Sequence, residues 1–256
     1  MKISVVTAAY NSAATIADTL RSVNAQSHPD VEHLIIDGGS TDQTVAIARE
    51  IGERAVHIVS GKDRGIYDAM NKGLALATGD VIGLLNSDDL YPDPGVLAAV
   101  AAEFEGNPEL DAIWGDLCYV AQGNIRKIVR YWRSSEYRPG LFQRGWVPPH
   151  PTFFVRREVY QRFGNFDLRY RLAADWELLV RFIEVHRIRT RHCPRVMVHM
   201  RLGGATNQSW SNVWKQNEEI VRAARAHGLR PSLVGFALGK LWSRSRQFLS
   251  RASSSA

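Results

Sequence analysis

The sequence predicts an α/β protein built on a mainly parallel, Rossmann-like sheet with helices on both faces. Over about the first ninety residues, short runs of β-branched and apolar residues alternate with segments that carry apolar residues at helical spacing. Each strand-like run passes into polar turn residues before the next helix begins. This alternation is typical of βαβ units, whose right-handed crossovers place helices on both faces of one sheet.

The first half of the chain contains four predicted strands. They lie at residues 3–7, 34–37, 56–59 and 81–86, each rich in Val, Ile or Leu. The helices after the first three are marked by apolar residues three or four positions apart: Ile16, Leu20 and Val23; Val45, Ala48 and Ile51; and Ile66, Met70, Leu74 and Ala77. Asn11 and Ser12 precede the first of these helices and are predicted to cap it.

The pattern changes after Pro92 and Pro94. A helix is expected around 96–104, then strands around 117–121 and 125–132, whose alternating polarity predicts an antiparallel, half-exposed hairpin. A loop at 138–151 is rich in proline, glycine and aromatic residues. Beyond it we expect a strand at 152–155, a helix at 174–185, a strand at 195–200 and helices at 209–227 and 232–250.

Composition favours a globular protein of a reducing compartment. With 256 residues, of which 45% are hydrophobic, the chain can bury a full core. Its two cysteines, Cys118 and Cys193, are far apart and fit no metal-binding or redox spacing, so we expect free thiols. The N-terminal residues lack the apolar core of a signal peptide, and no apolar run approaches the roughly twenty residues of a membrane span. These features predict a cytoplasmic location.

Charge is distributed unevenly. Residues 1–89 contain seven Lys or Arg and twelve Asp or Glu, which leaves 25 basic and 14 acidic residues for the remainder. In residues 229–251 apolar and basic side chains are interspersed, a composition that suits a helix lying on the inner face of an anionic membrane. The alternative is packing on the body of the protein or on a second subunit of a homodimer. Nucleic acid is not expected, because no reader motif accompanies the basic residues.

Several familiar site classes are excluded by their missing motifs. The chain has no G-x-G-x-x-G after the first strand, no Walker loop, no H-E-x-x-H and no G-x-S-x-G. Hydride transfer on a Rossmann dinucleotide site, P-loop phosphoryl transfer and serine hydrolysis therefore lose their support.

Carboxylates follow two of the predicted parallel strands. Asp37 ends the second strand, and the adjacent pair Asp88 and Asp89 follows the fourth. The carboxyl ends of parallel strands meet at one crevice, where open α/β sheets bind ligands. Two neighbouring carboxylates repel each other unless one is protonated or a cation binds, and a hard divalent ion such as Mg²⁺ or Mn²⁺ suits such oxygen ligands. A solvated turn is the alternative for this pair, and a turn-starting aspartate is the alternative for Asp37.

The motifs, taken in order, resemble those of family 2 glycosyltransferases with a GT-A fold, in particular bacterial enzymes of exopolysaccharide, colanic-acid-like or glycolipid assembly. The residues that carry this resemblance lie at 7–11 (TAAYN), 36–42 (IDGGSTD), 63–73 (DRGIYDAMNKG), 79–80 (GD) and 86–89 (NSDD). It covers roughly residues 1–205. It implies a nucleotide-sugar-binding half at 1–92, an acceptor half at 93–205 and a C-terminal basic helical extension at 206–256.

The resemblance implies a nucleotide diphosphate sugar donor, a divalent metal and inversion at the anomeric carbon. It assigns the metal, Mn²⁺ or Mg²⁺, to Asp88 and Asp89, without deciding which is the direct ligand. Asn86 departs from the family pattern, since it occupies the first acidic position. The residues expected to bind the donor are Thr7, Ala9, Tyr10, Asn11, Asp37, Lys62, Arg64, Asp68, Asn86 and Ser87. For Tyr10 and Asn11 capping and packing is the alternative, and for Lys62 and Arg64 it is simple solvation.

The acceptor side is expected around residues 171–177 (RLAADWE), which resemble the family's acceptor motif. The resemblance matches Asp175 to the general base that takes the acceptor's proton. Capping of the following helix is the alternative role for Asp175, and Glu177 is the rival base. His150 and Trp146 are candidates for lining the acceptor pocket, and Arg201 for approaching the diphosphate; loop packing and a linking turn are the alternatives.

A glycan or a lipid-linked glycolipid is therefore the expected acceptor. Two other functions stay open. A sugar-phosphate nucleotidyltransferase would use a similar sheet and metal but should carry a glycine-rich basic loop after the first strand, where Tyr10, Asn11 and Ser12 stand instead. A non-catalytic module that binds nucleotide sugars would not depend on Asp175.

Overall fold

A computed structural model describes residues 1–52, 56–203 and 210–229 of the chain. Within these ranges the strands form one mixed sheet, in the order β3-β2-β1-β4-β7-β5-β6, with β8 on the other edge of β5. The strands are β1 Ile3–Ala9, β2 Val31–Asp37, β3 Val56–Ser60, β4 Val81–Leu84, β5 Ala112–Ala121, β6 Asn124–Trp132, β7 Phe154–Arg156 and β8 Thr190–Arg201. The first four are mutually parallel, as predicted, and β7 joins them antiparallel to β4.

Helices cover both faces of this sheet. They are α1 Ile16–Asn24, α2 Thr44–Ile51, α3 Ile66–Leu76, α4 Val96–Gly106, α5 Arg157–Phe163, α6 Ala174–Leu179 and α7 Trp210–Ala226, and α6 continues into π-helical turns at Val180–Val185. Alternate residues of β1 point to opposite faces. Val6 and Ala8 pack in the cluster that contains α3, α6 and α7, whereas Ile3 and Val5 pack on the side of α4. Every residue of β1 is therefore buried.

Strand β5 links the two halves of the sheet. One edge pairs in parallel with β8, and the other pairs antiparallel with β7 at its start and with β6 at its end. The hairpin of β5 and β6 is thus confirmed, but the expectation that it would be half-exposed is wrong for β5. Because β5 is paired on both edges, residues 112–120 are all buried, and the polar alternation is confined to the outer strand β6.

Other differences from the expected elements are local. Strand β4 ends at Leu84, earlier than predicted, and α5 was not predicted. Asn11 and Ser12 do not cap α1, because the helix begins later, after Thr15, and no side chain caps it. Asn11 instead adopts a left-handed φ of 46° in the loop after β1. The helix expected at 232–250 lies outside the described residues.

The boundary expected near residue 205 stays a prediction. Helix α7 packs on the body of the protein, since Ile220, Ala223 and Ala224 lie in the same core cluster as α3 and α6. No helix among the described residues is both long and apolar enough to cross a bilayer.

A buried histidine stands beside the first strand. His33 on β2 is fully buried, and its Nε2 shares a hydrogen bond of 2.9 Å with Thr7 Oγ1. Burial lowers the pKa of His33 from 6.5 to about 3. The imidazole is therefore neutral in the folded protein, whereas it takes up a proton below about pH 6.5 in the unfolded chain.

We predict that His33 makes the folded state less stable as pH falls from 7 to 5. In this window the unfolded chain binds more protons, so the free energy of unfolding should drop by about 2 kcal/mol through this one group. Urea unfolding of the wild type and His33→Gln at both pH values checks this, because glutamine does not titrate. The same loss of stability in both proteins would contradict the prediction.

Helix α3 approaches β1 closely at a glycine. A Cβ atom at Gly73 would lie 2.2 Å from Val6 Cγ1 and 3.2 Å from Ile36 Cγ1. We predict that Gly73→Ala lowers the free energy of unfolding by about 1–3 kcal/mol, because the helix must shift away from the sheet. Gly106→Ala, at the end of α4 where a Cβ would meet nothing within 4 Å, is the matched control and should be near neutral. Equal stability of both variants would contradict this packing.

Candidate active site

The polar ends of β1, β2 and β4 meet at one edge of the sheet. In the parallel pairing of β1 with β2, Ala9 lies opposite Asp37, and β4 pairs with the other edge of β1. Two hydrogen bonds join the loops that follow: the Asn11 amide donates to Ser40 Oγ at 2.8 Å, and the hydroxyls of Ser12 and Ser87 share a bond of 2.7 Å. The structure therefore brings the end of β2, the loop after β1 and the acidic turn after β4 together.

Asp37 is almost completely buried and starts a tight turn. Its carboxylate accepts hydrogen bonds from the amides of Gly39 (3.1 Å) and Ser40 (3.0 Å) and from the hydroxyls of Ser40 and Ser60. Burial alone would raise the pKa of Asp37, but these hydrogen bonds together lower it. The carboxylate is thus ionised and engaged by the turn, so a nucleotide that reached it would compete with these donors.

The remaining residues of this edge differ in exposure. Tyr10 is 64% exposed beside the end of β1, whereas Thr7 and Ala9 are buried within the strand. Thr7 bonds to His33, and the Ala9 carbonyl accepts the Gly38 amide at 2.8 Å. Tyr10 is therefore the member of this group with a large surface free to meet a ligand.

A loop after β3 closes one side of the edge. Asp63 packs against Gly38 so closely that a Cβ on the glycine would lie 2.6 Å from Asp63 Oδ2, and Asp63 Oδ1 accepts the Gly65 amide at 2.9 Å. Asp63 was not predicted as a site residue; its position between two glycine turns was the available signal. Lys62 is exposed nearby, with its backbone amide against Gly39.

Asp68, at the start of α3, is neutralised by two cations. Arg64 Nη2 lies 3.2 Å from its Oδ1 and Lys72 Nζ 3.5 Å from its Oδ2, and the Arg64 amide donates to Oδ2 at 3.1 Å. The hydrogen bonds from Arg64, helped by both charges, lower the pKa of Asp68. The contacts between Asp68 and Arg64 therefore link the loop after β3 to the start of α3.

The acidic pair lies in a largely buried turn. Asp89 is fully buried and Asp88 is half-buried. Burial raises the pKa of Asp88; burial and the neighbouring Asp88 charge raise the pKa of Asp89 well above its usual range. Asn86 Nδ2 donates to Asp89 Oδ2 at 3.0 Å, while Asp89 Oδ1 has no hydrogen-bond partner within the described ranges. Burial and mutual repulsion therefore disfavour the ionised form of both carboxylates, and a bound cation would favour it.

Asp88 and Asp89 could supply only part of the ligands of a metal ion. Across residues 1–52, 56–203 and 210–229, no group of three or more His, Cys, Asp or Glu side chains could hold an ion alone. The partnerless buried oxygen of Asp89 and the raised pKa values of both carboxylates are consistent with a cation that completes its coordination from a substrate and water. Asn86 Nδ2 orients Asp89, and Asn86 Oδ1, like Asp89 Oδ1, is buried without a hydrogen-bond partner in the described part of the chain.

The side chain of Arg201, the last residue of β8, binds the backbone of the acidic turn. Its Nε donates to the Asp88 carbonyl at 3.0 Å, its Nη1 donates to the Gln122 carbonyl at 3.3 Å, and its Nη2 forms an ion pair with the Asp18 carboxylate. The guanidinium is buried at the wall of an open cavity of about 610 Å³ that Arg126 also lines. Arg201 ends β8, and the expected turn begins after it, at Leu202 and Gly203.

Asp175 lies in the first turn of α6 and contacts α3. The Tyr67 hydroxyl donates to Asp175 Oδ1 at 3.0 Å, and the amide of Trp176 donates to the same oxygen at 2.8 Å. Asp175 does not cap the helix, since the cap position is Ala173 and no side chain caps it. Burial and the Asp175 charge raise the pKa of Tyr67 well above its usual range, so the phenol stays protonated as a donor. Tyr67 had no predicted role.

The rival carboxylate, Glu177, is engaged by neighbouring side chains. Glu177 is buried, accepts Arg181 Nε at 2.8 Å and shares a 2.7 Å contact with His227 Nε2. Burial alone would raise the pKa of Glu177, but these hydrogen bonds and charges lower it. It is a structural ion pair on the side of α6 that faces α7.

The two aromatic candidates take different places. His150 packs edge-on against Phe166, with ring centroids 5.6 Å apart, and Tyr67 stacks on the same ring at 5.3 Å. Burial lowers the pKa of His150, while the Asp175 charge acts in the opposite direction. Trp146 packs among Trp114, Tyr137 and Phe142 at centroid distances of 5.3–5.8 Å. His150 therefore shares the Phe166 ring with Tyr67, the partner of Asp175, and Trp146 is part of an aromatic cluster.

The family of this chain follows from its relatives. The model of "Glycosyl transferase family 2" matches residues 4–164. A "PGL/p-HBAD biosynthesis glycosyltransferase" of Mycobacterium bovis is 33% identical over 217 residues, covering 80% of this chain and 78% of the relative. An uncharacterized glycosyltransferase of Mycobacterium tuberculosis is 31% identical over 181 residues, or 70% and 68% of the two chains.

Solved structures with low identity share the fold. S. aureus TarS 1-349 in complex with UDP-GlcNAc matches 100% of this chain and 74% of its own, at a TM-score of 0.66 and 18% identity. The mannosyltransferase PcManGT from Pyrobaculum calidifontis, in complex with GDP-Man and Mn²⁺, matches 100% and 76% at a TM-score of 0.65 and 19% identity. The chain spans only 44% of a longer TarS chain.

The mixed sheet with its parallel nucleotide-side strands is the GT-A architecture of these neighbours. The alternatives of a nucleotidyltransferase and of a non-catalytic module are set aside by the matched family and the names of the relatives. On these grounds the chain is a glycosyltransferase enzyme and belongs to glycosyl transferase family 2.

Proposed function

We propose that this glycosyltransferase moves a sugar, with inversion, from a nucleotide diphosphate sugar to a hydroxyl of a polysaccharide or lipid-linked glycan, with Asp175 as the general base. One observation carries the proposal. The half-exposed carboxylate of Asp175 is hydrogen-bonded to Tyr67 of α3, and the loop that leads into α3 packs against the turn that follows Asp37. A donor at that edge would present its sugar toward the base.

The donor's nucleoside is assigned to the side of Tyr10, Asn11 and Asp37, where an exposed ring and turn amides meet. The diphosphate is assigned to the acidic turn. Asp88 would be the direct metal ligand there, because it is the accessible member of the pair, and Asp89 would stand behind it, oriented by Asn86. When bound, Mn²⁺ or Mg²⁺ would act as a Lewis acid for the leaving diphosphate.

Asp175 would act on the acceptor. Its carboxylate takes the proton of the attacking hydroxyl while the acceptor oxygen bonds to the anomeric carbon and the bond from that carbon to the diphosphate oxygen breaks, so the nucleoside diphosphate leaves with the electron pair. Tyr67 donates to one oxygen of Asp175 and so orients the other toward the acceptor. Such general-base assistance is typically worth about 10²–10⁴-fold.

Two observations support the acceptor class. The Mycobacterium bovis relative is named for PGL/p-HBAD biosynthesis. The basic, apolar residues 229–251 would bring the enzyme to the inner face of a membrane that carries a lipid-linked acceptor, or pack on a second subunit. All but the first of these residues lie outside the described part of the chain.

We predict that one nucleotide sugar stabilises the protein, and that Mn²⁺ enhances the effect. Thermal-shift measurements with UDP-GlcNAc, GDP-Man and a dTDP-sugar, with and without Mn²⁺, would show a rise in Tm because a ligand that binds only the folded state stabilises it. Asp88→Asn should abolish the metal-dependent part. Asp80→Asn, at the far end of β4 where Asp80 accepts the Lys2 amide, is the control and should respond like the wild type. An Asp88→Asn protein that keeps the full metal response would refute the ligand assignment.

We predict that Asp175→Asn lowers kcat by about 10²–10⁴-fold with donor affinity nearly unchanged. Asparagine keeps the shape and the contact with Tyr67 but cannot take a proton. Release of nucleoside diphosphate measures kcat, and donor titration measures affinity. Asp167→Asn, which loses only a surface ion pair with Arg169, should retain turnover. Wild-type turnover in Asp175→Asn would exclude this residue as the base.

A further inference from the structure

Helix α7 binds the backbone immediately before the candidate base. The carboxylate of Glu219 accepts hydrogen bonds from three consecutive amides, those of Arg171 (3.0 Å), Leu172 (2.7 Å) and Ala173 (3.0 Å). Asp175 follows two residues later, so one side chain of α7 sets the path of the chain into α6.

Two further side chains of α7 hold the same segment. Gln216 Nε2 donates to the Leu172 carbonyl at 3.1 Å, and Arg222 Nη2 donates to the Arg169 carbonyl at 3.0 Å. Beyond the base, His227, just after the helix, contacts Glu177. Asp175 is therefore flanked on both sides in sequence by contacts to the C-terminal helical segment.

The Glu219 contact is strong for physical reasons. Its side chain is only 15% exposed, and hydrogen bonds from amides to a carboxylate are stronger than those between neutral groups. No side chain caps the start of α6, so the acceptor for the amides that lead into this helix comes from α7. Without Glu219, three amides would lose their acceptor, and the segment that leads to Asp175 would be held less firmly, through the contacts of Gln216 and Arg222.

We infer that Glu219 is a positioning residue, which fixes the carboxylate of Asp175 relative to the acceptor hydroxyl. The inference rests on the proposed role of Asp175 as the base. Glu219 itself touches the backbone of residues 171–173 and acts through it. Misplacement of a catalytic group by about 1 Å costs roughly 10²-fold in rate, which sets the scale of the effect.

Glu219→Gln tests the inference, because an amide cannot accept from all three backbone groups. We expect kcat for release of nucleoside diphosphate to fall about 10- to 100-fold. The donor KM and the fraction of protein that binds donor should stay within twofold of the wild type. Hydrogen exchange at the amides of 171–173 should accelerate. Glu218→Gln is the matched control and should leave all these quantities unchanged, since the one bond of the Glu218 side chain within the described ranges is to the exposed Trp214 indole.

A double-mutant comparison separates positioning from general loosening. If Glu219 acts through Asp175, Glu219→Gln should cause little further loss in the Asp175→Asn background, measured in single turnovers with excess enzyme. Glu219→Asp, which keeps the charge on a shorter side chain, should recover part of kcat and serves as the test if Glu219→Gln does not fold.

Three outcomes would overturn the inference: wild-type kcat in Glu219→Gln, a loss of kcat that is fully additive with Asp175→Asn, or a Glu219→Asp variant no more active than Glu219→Gln. Wild-type turnover in Asp175→Asn would instead overturn the proposed base. If Asp175→Asn is impaired and Glu219→Gln is not, only the positioning role fails.

Discussion

Two adjacent carboxylates in a turn that excludes most water are the constraint on which this structure depends. Asp89 is fully buried beside Asp88, and the nearby guanidinium of Arg201 bonds to the Asp88 carbonyl. The surrounding residues hold the backbone of the turn, since Thr19 Oγ1 donates to the Asp89 carbonyl at 2.7 Å. Burial and the adjacent charge make ionisation of this pair unfavourable in the protein alone, and on this ground a cation is proposed to bind there.

The parallel half of the fold was predictable because local and tertiary signals agree there. Every residue of β1 and β2 is buried, and each strand contains a short apolar run that the sequence shows directly, although the polar Glu32 and His33 hid the start of β2 at Val31. Strand β5 was harder to predict, since Gly115 and Asp116 interrupt its pattern while pairing on both edges buries it. Helix α5 is short and buries mainly Val159 and Tyr160, too few residues to produce a helical period.

The candidate site was likewise predictable from the sequence only in part. Its acidic residues follow strands, so topology alone places them at one edge. What the side chains contact there depends on residues distant in sequence. Tyr67 reaches Asp175 across 108 positions, and Glu177 is paired with His227 50 positions away. A single sequence could name Asp175 and Glu177 as candidates, but only the fold shows that one is accessible and the other is held in an ion pair.

The contacts between α7 and the segment that leads into α6 bear on where a catalytic fragment of this enzyme can end. Residues 1–205 contain every motif by which the family is known, yet a fragment that stops there would lack Glu219 and His227. A catalytic fragment whose end is chosen from the motifs alone would therefore omit Glu219, which holds the backbone before Asp175, the proposed base. On the proposed role of Asp175, the C-terminal segment does more than reach a surface or a second subunit, because its helix α7 also holds the backbone that leads to the base.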